Sequence, residues 1–328
     1  MFETIWQSLS TLPGYLVDAN KRIFWLYLAS AGVMAAFVYC ATTQARSFKG
    51  FWHFLFPKSV WLHESAKQDY CLFIINRIIK ALSFAPIVLT MVPVAIAISD
   101  FMEALFGPSL HLQWPPFVVV GLFTLMLFLI DDLTRYLLHL ALHKVPCLWE
   151  IHKVHHSAKV LTPFTIYRSH PIESYFYACR MALTQGIVVG LGYFFFGAAL
   201  SMFDILGANL FVFVFNICGS NLRHSHIWFS WGDKLEGWFI SPAQHQIHHS
   251  DNPKHFDTNI GSALAIWDRL GGSLVRASEA KNISIGVGKY DAGHDSLLAI
   301  YIKPVVACLK ACRPTFTVRK KMRDEKGR

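Results

Sequence analysis

Long apolar blocks alternate along this chain with short polar stretches crowded with histidine. Residues 23–43 form an almost uncharged block of membrane-spanning length. Residues 81–98 form a second, lengthened upstream by residues 72–79, with Arg77 inside it and Lys80 at its edge. Residues 116–130 are a third, which runs on into 136–140, and residues 183–196 and 203–218 are a fourth and fifth. A crossing helix needs about 20 apolar residues. The first block meets that length alone and the third meets it once extended; the last two are short enough to be a tight hairpin. The pattern predicts an all-α chain with about four to five apolar spans.

The polar stretches between these blocks have their own periodicity. Asp132, Tyr136, His139 and His143 follow steps of four, three and four, which keeps them on one stripe of a helix. His152, His155 and His156 occupy little more than one turn after Pro146, and Thr162-Pro163 ends that helix. Ser241-Pro242 is a good helix start, and His245, His248 and His249 follow it with the same spacing as the earlier trio.

Composition and charge place this pattern in a membrane. The hydrophobic fraction of 54% is high for a soluble domain. Arg46, Lys49, Lys58 and Lys67 follow the first block, and nine Lys or Arg lie from Lys303 to the end, whereas the stretch holding Asp100 and Glu103 carries none. Positive charge concentrates on cytoplasmic loops, so residues 44–69 and the tail are expected in the cytoplasm. Lys21 and Arg22, just before the first block, argue weakly the other way. Cations that flank apolar blocks suit lipid headgroups and exclude a nucleic-acid-binding face. The seven cysteines show no Cys-x-x-Cys pair and no disulfide framework.

A lone histidine on a helix is usually a solvated or satisfied polar residue, and His53, His63, His111, His255 and His294 are read that way. The others repeat. His139-x-x-x-His143, His152-x-x-His155-His156, His224-x-His226 and His245-x-x-His248-His249 place ten histidines in four short clusters. Neutral imidazole is the commonest ligand for first-row transition metals, and these spacings share helical faces. Ten exceed what a mononuclear site uses, so the pattern predicts a dinuclear centre. The expected ligands are His139, His143, His152, His155, His156, His224, His245, His248 and His249. His224 and His226 cannot share a helical face, so His226 is assigned to an outer or late position. His170, preceded by Arg168 and followed by Pro171 and Glu173, is read either as a ligand held by Glu173 or as a loop residue at a helix start. Asp132 and Tyr136 are candidates to orient a ligand through its second nitrogen; the alternative for Asp132 is a charge at a membrane boundary.

Taken in order, these motifs resemble the fatty acid hydroxylase / sterol desaturase superfamily of integral-membrane, histidine-rich di-iron oxygenases. Further matches are Arg168-x-His170-Pro171-x-Glu173, residues 257–261, and Trp267-Asp268-Arg269-Leu270, so the resemblance covers roughly residues 117–275. It adds Asp268 as a candidate outer partner. Many relatives close the last motif with Phe-Gly-Thr; this chain has Gly271-Gly272-Ser273, a departure that bears on a local turn. The resemblance implies two non-haem iron ions and dioxygen as co-substrate, used to hydroxylate or desaturate a C–H bond of a lipid such as a sterol or fatty acyl chain. The residues alone leave zinc open. No Gly-rich dinucleotide fingerprint or haem-attachment motif is present, so a separate donor of cytochrome or ferredoxin type is expected to deliver two electrons.

The expected organisation is an anchor over residues 1–115, a catalytic domain over 116–275 and a basic tail over 276–328. The catalytic domain would form a cytoplasmic cap at a bacterial inner membrane or the endoplasmic reticulum. The rival reading is a membrane zinc hydrolase. Such enzymes place Glu directly after the first histidine of the metal helix, where this chain has Lys153 and Gln246.

Overall fold

In the computed structural model, residues 2–83, 89–197, 200–280, 282–288 and 293–312 are described. The chain opens with α1 (Phe2–Ser10), and a 3-10 turn leads to α2 (Trp25–Thr42). Three more helices, α3 (Phe48–Leu55), α4 (Lys58–Trp61) and α5 (Glu64–Ser83), precede α6 (Met91–Phe106). The long helix α7 (Pro116–Lys144) breaks at Val145 and restarts as α8 (Pro146–His156), each with proline in its first turn, where the missing N–H costs nothing. Next come α9 (Pro171–Phe196), α10 (Leu210–Ile217), α11 (Asp233–Glu236), α12 (Pro242–His248), α13 (Ile266–Gly271) and α14 (Leu297–Ala311).

Three of these helices, α2, α7 and α9, are long and apolar enough to cross a membrane, which is fewer than the blocks suggest. The second block is divided: α5 ends at Ser83, residues 84–88 lie outside the described residues, and α6 begins at Met91. The fourth is longer than its apolar core, since α9 starts at Pro171. The fifth holds no helix of crossing length among the described residues. Its first part is a hairpin pairing Asp204–Ile205 with Ala208–Asn209, turned by Leu206 and Gly207 at positive φ, and only the eight-residue α10 follows. Of the basic tail, residues 313–328 lie outside the described residues.

Packing explains the arrangement. Along α2, Tyr27, Ala31, Ala35 and Tyr39 are buried at steps of four, so one stripe faces protein and the remainder is left to lipid. Ala31 and Ala35 receive Leu222 and Ile227 from the histidine-bearing region. Helix α6 crosses α9 at two glycines. A Cβ at Gly186 would stand 2.5 Å from Val94 Cβ, and one at Gly190 would stand 2.6 Å from the Ala95 carbonyl oxygen. Small residues at steps of four allow such close approach.

At 29 residues, α7 is ~44 Å long and carries His139 and His143 in its last turns. A buried ion pair locks α5 to the cap just beyond. Arg168 Nη1 donates to Asp69 Oδ1 at 2.9 Å, while Arg168 Nε donates to the Val154 carbonyl at 3.0 Å. The pair is sealed within the protein: the Arg168 side chain is 1% exposed and that of Asp69 is 0% exposed.

Candidate metal centre

Nine histidines converge into two adjoining groups. His139, His143, His152, His156 and His248 form one, and His155, His224, His245 and His249 form the other. Within each group the ligand nitrogens lie within 4.8 Å of one another. The two His-x-x-His-His motifs are shared reciprocally. On α8, the outer pair His152 and His156 enters the first group and His155 the second. After α12 begins, His245 and His249 enter the second group and His248 the first. Helical geometry produces this exchange, because residues three and four apart splay to either side of a common direction. The groups meet where His156 stacks on His249, with ring centroids 4.6 Å apart.

The spacing of nitrogens suits ligation. His139 Nε2 and His152 Nε2 are 3.1 Å apart, and His152 Nε2 and His156 Nε2 are 3.2 Å apart. In the second group, His155 Nε2 and His224 Nε2 are separated by 3.3 Å, and His224 Nε2 and His245 Nε2 by 3.1 Å. An imidazole–metal bond of ~2.0–2.1 Å, the zinc value, places neighbouring ligand nitrogens ~2.8–3.4 Å apart. Among the described residues, His143 Nε2, His248 Nε2 and both nitrogens of His249 are buried with no hydrogen-bond partner. Buried polar atoms without partners are rare, and a cation in each group would satisfy His143 Nε2, His248 Nε2 and one nitrogen of His249.

Most outer nitrogens are held by acceptors. His152 Nδ1 donates to Glu173 Oε1 at 3.0 Å, and His143 Nδ1 to Asp257 Oδ1 at 3.2 Å. Backbone carbonyls take three more: Ile260 for His139 at 2.7 Å, Thr258 for His248 at 2.8 Å and Arg168 for His155 at 3.2 Å. An acceptor at Nδ1 keeps the proton there and leaves the Nε2 lone pair facing inward. Burial holds the rings neutral. It lowers His152 to about 3, and burial with the neighbouring His152 lowers His155 to about 4. For His156, His224, His245, His248 and His249, burial and then the crowding of neighbouring rings, with Arg223 beside His224 and His245, depress protonation well below the ordinary histidine value. Neutral imidazole is the form that binds metal.

Residues 257–261 form the strap that supplies three of those acceptors. Asp257 and Asn259 adopt positive φ, 58° and 50°. Asn259 fixes the strap by donating to the Gln244 carbonyl at 3.0 Å and accepting from Val275 N at 2.9 Å. Asp268 accepts from Ile260 N at 2.8 Å and Gly261 N at 2.7 Å, so it acts on His139 through the strap. Asp132 likewise touches no histidine. It accepts from Ala263 N at 2.8 Å, Leu264 N at 3.0 Å and Trp267 Nε1 at 2.9 Å. Tyr136 also orients no ligand; its hydroxyl lies over Gly271, where a Cβ would collide with it. That contact, with Gly272 at φ 68°, accounts for the two glycines of Gly271-Gly272-Ser273, and the Ser273 hydroxyl donates to Asp268 Oδ1.

Two expected participants stand apart. His170 caps α9, its Nδ1 accepting from Ile172 N at 3.2 Å, and its Nε2 donates to the Tyr301 carbonyl at 3.1 Å. Glu173 holds His152 and not His170. His226 turns outward to the Phe54 carbonyl, 2.8 Å from its Nε2. Asp257, Thr258, Ile260 and Arg223 escaped sequence reasoning as site residues. Asp257 stood within a recognised motif, but a carbonyl acceptor such as Thr258 or Ile260 leaves no side-chain signature.

Residues 124–273 match the family model for fatty acid hydroxylase. Human lathosterol oxidase is 24% identical over 265 residues, covering 79% of this chain and 77% of that protein. An ornithine lipid hydroxylase from Rhizobium tropici is 30% identical over 191 residues, covering 57% of this chain and 51% of that protein. An alkylglycerol monooxygenase from Danio rerio is 27% identical over 154 residues, covering 46% of this chain and 30% of that protein. The match thus spans about half of the ornithine lipid hydroxylase and about three quarters of lathosterol oxidase. No solved structure matches the chain.

Proposed function

Because the chain belongs to the fatty acid hydroxylase / sterol desaturase superfamily, we propose that its two histidine groups hold a pair of iron ions used to oxidise a lipid C–H bond. The enzyme is an oxidoreductase of the lipid hydroxylase/desaturase class. The observation that carries the di-metal reading is the reciprocal division of the two His-x-x-His-His motifs between adjoining groups. A lipid chain offers no polar handle for acid–base chemistry, so bound metal would supply the redox step, with dioxygen and two electrons drawn from outside the chain.

The chain's own residues prepare that step. Glu173 and Asp257 fix His152 and His143 by charge-assisted hydrogen bonds, and the strap fixes His139 and His248. Burial of the rings removes water that would compete for the ligands. The two carboxylates that touch ligands are engaged at their outer nitrogens, which favours the oxygenase reading over a hydrolase needing a free general base.

The histidine face is assigned to the cytoplasm, together with residues 44–69 and the tail. Two contacts support a shared face: Phe54 accepts from His226, and Ser65 Oγ accepts from Lys159 N at 3.1 Å. Residues 1–115 then anchor a catalytic domain over 116–275. A sterol or fatty acyl chain is the expected substrate, and a separate cytochrome or ferredoxin the expected donor.

The test is metal analysis of the purified protein combined with oxygen uptake. Close to two irons per chain is expected, with dioxygen consumed only when lipid and an electron donor are both present. Full turnover of a lipid under anaerobic conditions, or with zinc replacing iron, would overturn the assignment.

A further inference from the structure

Three cysteines far apart in sequence meet at the edge of the cap. Cys147 lies in the first turn of α8, and Cys308 and Cys312 lie one turn apart at the end of α14. Their sulfurs are all within 4.8 Å of one another, and none is in a disulfide. Cys147 and Cys308 are half-buried and Cys312 is exposed, so the cluster opens to solvent. The other four cysteines, Cys40, Cys71, Cys179 and Cys218, belong to no such group among the described residues.

Helix α14 reaches this position by packing along α8. Ile300 is buried with Leu72 and Val154, and Tyr301 Oη donates to Asn76 Oδ1 at 2.9 Å. The sulfurs therefore join the start of the helix carrying His152, His155 and His156 to the last described turn of the chain.

We propose that Cys147, Cys308 and Cys312 form a second metal site, an all-sulfur clamp for a thiophilic cation such as Cu(I) or Zn(II). The donor set decides the class of cation, because thiolates select soft and borderline ions whereas the histidine groups are all nitrogen. Geometry agrees with three ligands. Sulfurs on a shared cation at ~2.3 Å stand about 4 Å apart in a trigonal arrangement, which fits within the 4.8 Å that contains the three sulfurs. A disulfide would use two sulfurs and strand the third. Cys308 and Cys312, one turn apart on a helix, both face Cys147, which suits three-way ligation. On binding, each thiol releases its proton and donates a lone pair, and no electron is transferred. Zn(II) would take water as a fourth ligand. The bound cation would staple α14 to α8 and stiffen the helix that presents three of the centre's histidines.

Cadmium titration of the reduced, full-length protein tests the site, because a Cd–thiolate bond gives a charge-transfer absorbance that imidazole ligands do not. The expected result is a band that saturates at a single equivalent, disappears in Cys147→Ser and weakens in Cys312→Ser, but persists in Cys71→Ser and Cys218→Ser. Serine preserves size, and unchanged iron content in each variant shows that the fold is retained. No band in the wild type, or a band that survives Cys147→Ser combined with Cys308→Ser, overturns the proposal. So does a Cys147–Cys308 or Cys147–Cys312 disulfide formed with mild peroxide in a protein that takes up no cadmium, since the cluster is then a redox pair. Each of these outcomes leaves the histidine centre's own test untouched.

Discussion

Arg223 donates a hydrogen bond from Nη2 to His245 Nδ1 at 3.1 Å, reversing the polarity found at His139, His143, His152, His155 and His248. Arg223 is buried, and its guanidinium is braced by the Ser262 carbonyl, 2.7 Å from Nη1. Burial lowers its pKa to about 9, still high enough to stay charged at neutral pH. A neutral ring that accepts at Nδ1 carries its proton on Nε2, so His245 would have to release that proton to hold a cation there, which the rings that donate from Nδ1 would not.

Arg223→Gln is therefore expected to disturb the second group more than the first. The glutamine amide can still donate but brings no charge. Loss of an outer partner typically costs about 10–100-fold in metal affinity or activity. Metal content after dialysis against a chelator should fall toward half, with the loss from the group containing His245. Retention of both metals at wild-type strength would show that the contact is only structural.

Ligand substitutions should separate the histidines by position. His155→Ala and His248→Ala each remove a ligand from a different group, and both should abolish turnover while the protein still inserts. His226→Ala and His255→Ala should leave turnover nearly unchanged, because His226 bonds Phe54 and His255 bonds Ser250 Oγ at 3.0 Å. Turnover of a lipid substrate by membranes normalised for protein amount measures this. Inactivation by His226→Ala to the level of His155→Ala would contradict the geometry.

The Asp69–Arg168 pair should carry stability. Asp69→Ala leaves a buried guanidinium uncompensated, a change that typically costs about 3–5 kcal/mol. It also removes the acceptor of Thr165 Oγ1, 2.7 Å away. Asp132→Asn is milder, since an amide oxygen retains part of the acceptance from Ala263, Leu264 and Trp267. Thermal unfolding in detergent should rank Asp69→Ala well below Asp132→Asn. The opposite order would mean that the Asp132 strap, and not the α5 contact, holds the cap.

The convergence of the nine histidines was legible in sequence because helical periodicity converts spacing into direction. His139 with His143, and His152 with His156, needed only the 3.6-residue turn to face one point. The reciprocal split between motifs was not legible, since it depends on how α8 and α12 face each other across the cap. His170 stayed open in sequence because a histidine before proline has two uses, and here capping α9 takes Nδ1 while the Tyr301 carbonyl takes Nε2. Asp132 misled for a related reason: its place on the stripe is right, but its acceptors are filled by Ala263, Leu264 and Trp267 before any ring is reached. The shape of the fifth apolar block was not legible, because apolar composition was read without turn chemistry. Leu206 and Gly207, at φ 53° and 78°, reverse the chain and leave α10 with eight residues.

Acid should release the metals and loosen the cap together. Seven histidines outside the spanning helices, His152, His155, His156, His224, His245, His248 and His249, are held neutral by burial in the folded protein. In the unfolded chain each returns to an ordinary value of about 6.5. Below that value the unfolded state binds more protons than the folded state, so stability rises with pH through this range and falls on acidification. The stabilisation is fully present above about 6.5 and is lost as pH drops toward the lowered folded values, about 3 for His152 and about 4 for His155. Metal-free protein should therefore show little change in unfolding temperature from pH 8 to 7 and a steep fall below ~6. Iron-loaded protein should shift the fall to lower pH, because protons must then displace bound metal. Differential scanning calorimetry of both forms across this range measures the effect, and an unfolding temperature independent of pH between 7 and 5 would show that these rings are already protonated or exposed.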